Sequence, residues 1–181
     1  MSREPELSVT EWAVLGALSS CAIHGFGAAR ALAPEGPIGR VWTVSRPLVY
    51  RAVSTLVASG LVMETGTAPG RAGPRRRLLK VTPAGRVALR GWLTAPVHHI
   101  RDYRSELMLK LLLLQDDDSG RAKLLAAQCA ELEPICVGLR QRLDAADGFD
   151  AVLARWRLDS ALAAQGFLEG LRDSETNRSR R

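Results

Sequence analysis

"SRPLVYRAVSTLVASGLV", residues 45–62, carries helix signals at both ends. Ser45 can accept a hydrogen bond from a free N–H of the first turn, Pro47 falls where a missing N–H costs little, and Gly60 suits the left-handed residue that closes a helix. The pattern predicts a helix from about Arg46 to Ser59. Val49, Ala52, Val53 and Leu56 form its buried stripe, leaving Arg46, Tyr50, Arg51 and Ser54 on the opposite side. Such an Arg/Tyr face suits the floor and walls of a duplex groove. Alone, it would better describe the solvated side of an ordinary amphipathic helix.

Its neighbours decide. Upstream, Ser8 and Glu11 have capping-box spacing, in which each side chain satisfies a free backbone N–H of the other, so a first helix starts there. Trp12, Leu15 and Leu18 then recur at helical intervals and point one face into a core. "IHGFGAARALAPEGP", residues 23–37, reads as a turn and a short second helix that ends before Pro34. Downstream, "LVMETG" (61–66) and "RRRLLKVT" (75–82) read as two strands, with Leu79 and Val81 on one face and Arg76, Leu78 and Lys80 on the other. "APGRAGPR", residues 68–75, supplies a Gly/Pro tip between them. Thr82 caps a fourth helix whose first residue is Pro83 and whose apolar run is Val87, Leu89, Trp92 and Leu93. Helix, helix, helix, hairpin, helix is the order of a winged helix-turn-helix, with the third helix in a major groove and the hairpin on adjacent phosphates.

"HGF" (24–26), "LVYRAVSTLVASGLV" (48–62), "GPRR" (73–76) and "LKVTPAGRVAL" (79–89) together resemble the PadR-like winged-helix transcriptional regulators over most of the first 95 residues. Two departures stand out: the second wing strand has Leu78-Leu79 where the family usually has an aromatic pair, and the third helix opens "SRPLVY" rather than "SPGTLY". The resemblance implies a homodimeric repressor on an inverted-repeat operator, released by a small aromatic or drug-like effector, with Trp92 as a pocket residue. Arg46, Tyr50, Arg51 and Ser54 are the groove candidates, and Arg71, Arg75, Arg76, Arg77 and Lys80 the wing candidates.

Charge fits a polyanion partner. The net charge of +6 is unevenly spread, because residues 1–100 hold 12 basic against 5 acidic side chains and residues 101–181 hold 13 against 14. Only three of the 25 basic residues are lysine, so arginine abundance by itself says little. Position in the hairpin says more.

The second half reads as helices with surplus apolar surface. "DYRSELMLKLLLLQ", residues 102–115, places leucines around most of a helix, so a second copy of the chain is the expected cover. A long helix should follow from Asp118 or Ser119, bent near Pro134, and then another in which Phe149, Val152, Leu153, Trp156, Ala163, Phe167 and Leu171 recur at helical spacing. Leu107, Leu111, Leu114, Trp156 and Phe167 are the dimerisation candidates. The expected organisation is a mostly α chain with a small β-hairpin: a winged helix-turn-helix at 1–95, an antiparallel helical dimerisation and effector-response domain at 96–172, and a basic tail without fixed structure at 173–181.

Other chemistry lacks its pattern. Cys21, Cys129 and Cys136 are few and widely spaced, as expected of reduced core thiols. His24, His98 and His99 have no metal-ligand spacing with them, and "DDD" at 116–118 lacks the alternation of a calcium loop. Neither a phosphate-binding glycine loop nor a nucleophile elbow is present, so neither enzyme activity nor a cofactor is expected. The longest apolar stretch, Leu107–Leu114, is broken by Lys110 and is too short to span a bilayer, so a cytoplasmic protein without a membrane partner is expected. The competing reading is a winged-helix protein-interaction module that binds an acidic partner without sequence-specific DNA binding.

Overall fold

The computed structural model describes residues 7–20, 24–68 and 76–178. Its elements are α1 (Val9–Ser20), α2 (Gly25–Ala31), α3 (Arg46–Ala58), β1 (Val62–Ala68), β2 (Arg76–Val81), α4 (Pro83–Thr94), α5 (Met108–Leu113), α6 (Asp118–Ala145) and α7 (Gly148–Arg178). The chain is thus mostly helical, with a two-stranded antiparallel hairpin after three helices and a long pair of packed helices at the end. Two compact units result: residues through Trp92 together with Met108–Leu113, and Leu93–Leu107 together with Leu114 onward. The leucine-rich segment is therefore divided between them.

In the first unit α1 is the central element. Ser8 N–H donates to Glu11 Oε2 at 2.7 Å, and Glu11 N–H donates back to Ser8 Oγ at 3.4 Å, which is the capping box. Burial is not confined to the stripe of Trp12, Leu15 and Leu18. Ala13 through Leu18 are all buried, because Ala13, Gly16 and Ala17 let other elements close in on the remaining sides. A Cβ on Gly16 would lie 2.5 Å from Leu113 Cδ1 of α5.

α3 buries Val49, Ala52 and Leu56, whereas Val53 is half-buried at the edge of the stripe. Pro47 lies in its first turn. Ser45 has the extended backbone of an N-cap, but its side chain makes no capping hydrogen bond, so the start relies on backbone geometry and the proline. Gly60, at φ 70°, reverses the chain into β1.

Val62 pairs with Val81 and Ala68 with Arg76. The register shifts between Glu64 and Gly66, a bulge that leaves Thr65 as the extra residue and uses the φ of 148° at Gly66. Leu79 and Val81 point into the core while Lys80 is exposed.

Thr82 then joins three segments. Its N–H donates to Leu61 O at 3.0 Å, its Oγ1 donates to Gly60 O at 2.8 Å, and the same oxygen accepts from Gly85 N–H at 3.0 Å. α4 rests so closely on the turn between α3 and β1 that a Cβ at Gly85 would lie 2.1 Å from Leu61 O. Leu89 and Leu93 line the buried side of α4. Val87 is 74% exposed, contrary to its place in the apolar run, because two residues before Leu89 is the far side of a helix.

In the second unit, Ile100–Asp102 is a 3-10 turn and Tyr103–Leu107 a π turn, so the helix expected over residues 102–115 is α-helical only from Met108 to Leu113. Gln128, fully buried, receives Val97 N–H at 2.7 Å and donates to Val97 O at 2.9 Å and Tyr103 Oη at 2.6 Å, so every polar atom of its amide group is engaged. Asp117 caps α6 by accepting from Gly120 N–H at 2.9 Å. α6 runs through Pro134 and packs Leu125, Leu132, Cys136 and Leu139 toward Ala154, Leu158, Ala161 and Leu168 of α7.

α7 extends to Arg178, into the segment that the sequence reads as a tail. Glu175 forms an ion pair with Arg121 of α6, their side chains 17% and 11% exposed, and residues 179–181 lie outside the described part. A charged run reads as solvent-facing until such a partner is located. Burial pushes the Cys136 thiol and the Tyr103 phenol upward from their ordinary values, with Arg140 opposing at Cys136 and the Gln128 hydrogen bond opposing at Tyr103. Cys129 is half-buried, both cysteines are free thiols, and Cys21 lies outside the described residues.

Candidate nucleic-acid interface

α3 is held from behind by α1 and α2, which leaves its opposite face open. Arg46, Tyr50, Arg51 and Ser54 are all exposed, at intervals of four, one and three residues, so they occupy one side of the helix. Ser54 Oγ donates to Tyr50 O at 3.1 Å, an internal bond that a base or phosphate acceptor could replace. Arg46 Cζ stands 5.6 Å from the centre of the Phe26 ring of α2. Leu48 of α3 and Met63 of β1 are exposed apolar side chains.

The hairpin, in the same compact unit, supplies further cations. Lys80 and Arg77 are exposed on β2, and Arg76 is the strand's first residue. Arg77 Nη1 donates to Glu64 Oε1 at 2.8 Å, with side chains 74% and 42% exposed. A pair this exposed contributes about 1 kcal/mol or less. Arg71 and Arg75 fall outside the described residues.

The wing root is tied to the helix-turn-helix. His24 forms an isolated antiparallel bridge with Leu78, and its Nδ1 accepts from Gly27 N–H at 2.9 Å to cap α2. Leu78 is half-buried beside that bridge and Leu79 is 6% exposed in the core. The aliphatic pair thus packs at the root of the hairpin.

Trp92 stacks on Trp12 with ring centres 5.2 Å apart and planes 8° from parallel, and Lys110 Nζ lies 4.8 Å from its ring centre. Its ring is already engaged by protein on more than one side. Of the leucine-rich candidates, Leu107 and Leu114 are buried in their own chain and Leu111 is half-buried. Trp156 is 70% exposed and Phe167 43%. Together with Phe149, Val152 and Ala163 they form an apolar stripe on the side of α7 turned away from Leu158 and Ala161. Among the described residues, no cluster of three or more His, Cys, Asp or Glu side chains could hold a metal ion, and no helix is long and apolar enough to cross a membrane.

Sequence reasoning missed Phe26 and Gly25 as neighbours of Arg46 and Tyr50. The signal was "HGF" (24–26), which carries part of the resemblance but which helical periodicity does not connect to α3.

No family model and no curated protein matches the chain. Among solved structures, it is similar to Bacillus subtilis PadR in complex with operator DNA, at 16% identity over 93% of this chain and 99% of that one, TM-score 0.47. It is also similar to smu.1604c from Streptococcus mutans UA159, at 15% identity over 88% and 96% of the two chains, TM-score 0.42. Bacillus subtilis PadR in a further crystal structure aligns at 16% identity over 97% and 99%, TM-score 0.40. These alignments are nearly full length but loose, and the functional reading rests on the chain's own geometry.

Proposed function

We propose that this protein is a DNA-binding transcriptional regulator of the PadR-like kind, a repressor that binds an inverted-repeat operator as a homodimer. The carrying observation is the open face of α3, Arg46–Tyr50–Arg51–Ser54, beside a hairpin with exposed Arg77 and Lys80. In this reading Arg46, Tyr50 and Arg51 meet base edges in the major groove, where a guanidinium can take two acceptors of one guanine. Arg71, Arg75, Arg76, Arg77 and Lys80 meet phosphates, which adds affinity without sequence preference.

A palindromic operator needs two copies of α3. The outer stripe of α7 supports a dimer, since an exposed Trp and two Phe on one helix face exceed what a solvated helix requires. Trp156 and Phe167 remain the proposed contacts, while Leu107 and Leu114 have no surface to offer. Half-sites on successive turns of the groove require the two α3 helices of such a dimer to stand about 34 Å apart. An aromatic effector acting at Trp92 would have to displace Trp12 or Lys110, and quenching of tryptophan fluorescence would report it.

The test is selection from a random duplex pool with the full-length protein. Enrichment of an inverted repeat with half-sites one helical turn apart supports the proposal. Failure to bind random duplex even at micromolar concentration in low salt overturns it and favours the protein-interaction reading.

A further inference from the structure

We propose that His24-Gly25-Phe26 is a positioning device for the DNA face, in which Phe26 sets the reach of Arg46 and Gly25 that of Tyr50. The inference rests on the reading of α3 as the groove helix and goes beyond it, because none of the three residues is itself a base reader.

Each residue of the tripeptide meets a different part of the face. His24 bridges Leu78 through its backbone, so the wing root is registered against the start of α2. Gly25 leaves the space in which the Tyr50 ring sits: a Cβ there would lie 2.9 Å from Tyr50 Cε1 and 3.4 Å from Cδ1. Phe26 presents its ring to the Arg46 guanidinium at 5.6 Å and leans toward the His24 imidazole, with ring centres 6.3 Å apart. The His24 cap, from Gly27 N–H to Nδ1, fixes the turn from which all three project.

Arginine at the first turn of α3 needs such support. A free arginine side chain samples many rotamers, and ordering it on DNA costs affinity that a preorganised side chain retains. A cation resting on an aromatic face at an exposed site is stabilised by about 0.5–1 kcal/mol, which corresponds to about a 2- to 5-fold change in binding. Tyr50 is constrained differently, by shape. With a methyl group at position 25 its ring has to swing away, carrying the hydroxyl with it.

The experiment uses the full chain and a duplex enriched by wild-type protein from a random pool, with an unrelated duplex as reference. Phe26→Leu keeps apolar bulk and removes the π face. The expected result is a 2- to 5-fold loss of affinity for the enriched duplex, no loss on the reference, recovery in Phe26→Tyr, and no further effect in an Arg46→Ala background. A Phe26 that served only the core would weaken both duplexes, and would do so with or without Arg46; that result overturns the assignment. Gly25→Ala gives a second cycle, should Phe26→Leu fail to fold. It is expected to weaken the enriched duplex when Tyr50 is present and to be neutral in Tyr50→Ala, and equal losses in both backgrounds overturn the role of Gly25. If the pool yields no enriched duplex, the DNA reading itself fails, and the inference with it.

Discussion

Trp156→Ala separates a dimer held by the outer face of α7 from one held by the leucine-rich segment. A tryptophan carries ~250 Å² of surface, and at 70% exposure about 170 Å² of Trp156 is open to a partner. At ~25 cal/mol per Å² this burial is worth up to about 4 kcal/mol per copy, and central aromatic anchors usually cost about 2–4 kcal/mol on truncation. Two copies in a symmetric interface give at least about 4 kcal/mol, so the dimer Kd should rise about a thousand-fold or more. Sedimentation velocity across a concentration series reads this directly. Because Trp156 contributes little to its own chain's core, the circular dichroism and thermal midpoint of the monomer should stay close to wild type. Leu114→Ala should do the reverse: at 3% exposure it costs about 2–5 kcal/mol of folding stability and should leave association of the folded fraction unchanged. An unchanged dimer Kd in Trp156→Ala would show that the outer face of α7 does not hold the dimer.

Gly85→Ala should lower folding stability by about 1–3 kcal/mol, because the new methyl group pushes on Leu61 O, the acceptor for Thr82 N–H; an unchanged urea midpoint would contradict the packing. Burial raises the Cys136 thiol above its ordinary 9.0 and the Tyr103 phenol above its ordinary 10.0, so the folded state holds protons that the unfolded chain has already released. Their contribution is complete below those values and is lost as pH rises through and beyond them; the urea midpoint should fall above about pH 9, and a rise there would contradict the burial. Cys136 should react with iodoacetamide more slowly than half-buried Cys129 in the native protein, as read by peptide mass mapping, and equal rates would contradict its seclusion.

Features specified within a few residues were readable in advance. The Ser8/Glu11 box, the Thr82-Pro83 start and the Gly60 stop each depend on one turn of backbone, and each occurs where the sequence puts it. Ser45 shows the limit of that logic: its backbone takes the cap conformation while its side chain does not bond. What depended on distant partners was not readable. Ala13, Gly16 and Ala17 carry little hydrophobic signal, yet their small size lets α1 be surrounded, and the coverage of Leu107 and Leu114 comes from their own chain rather than a second copy. The last turns of α7 look solvent-facing until Glu175 meets Arg121, 54 residues away in sequence. At the candidate interface, the outward side of α3 follows from helical periodicity, whereas the contacts of Phe26 and Gly25 arise from the crossing of α2 and α3.

If α3 reads sequence while the wing grips phosphates, the salt dependence of binding to the enriched duplex and to random duplex separates the two roles. Alanine at Arg75, Arg76 and Arg77 should reduce the slope of log K against log salt by up to ~0.9 for each lost phosphate contact and weaken both duplexes alike. Arg51→Ala, measured the same way, should narrow the gap between the two duplexes by about 1–3 kcal/mol. An unchanged slope in the wing variant, together with an unchanged gap in Arg51→Ala, would mean that neither the hairpin arginines nor α3 contacts DNA in this way.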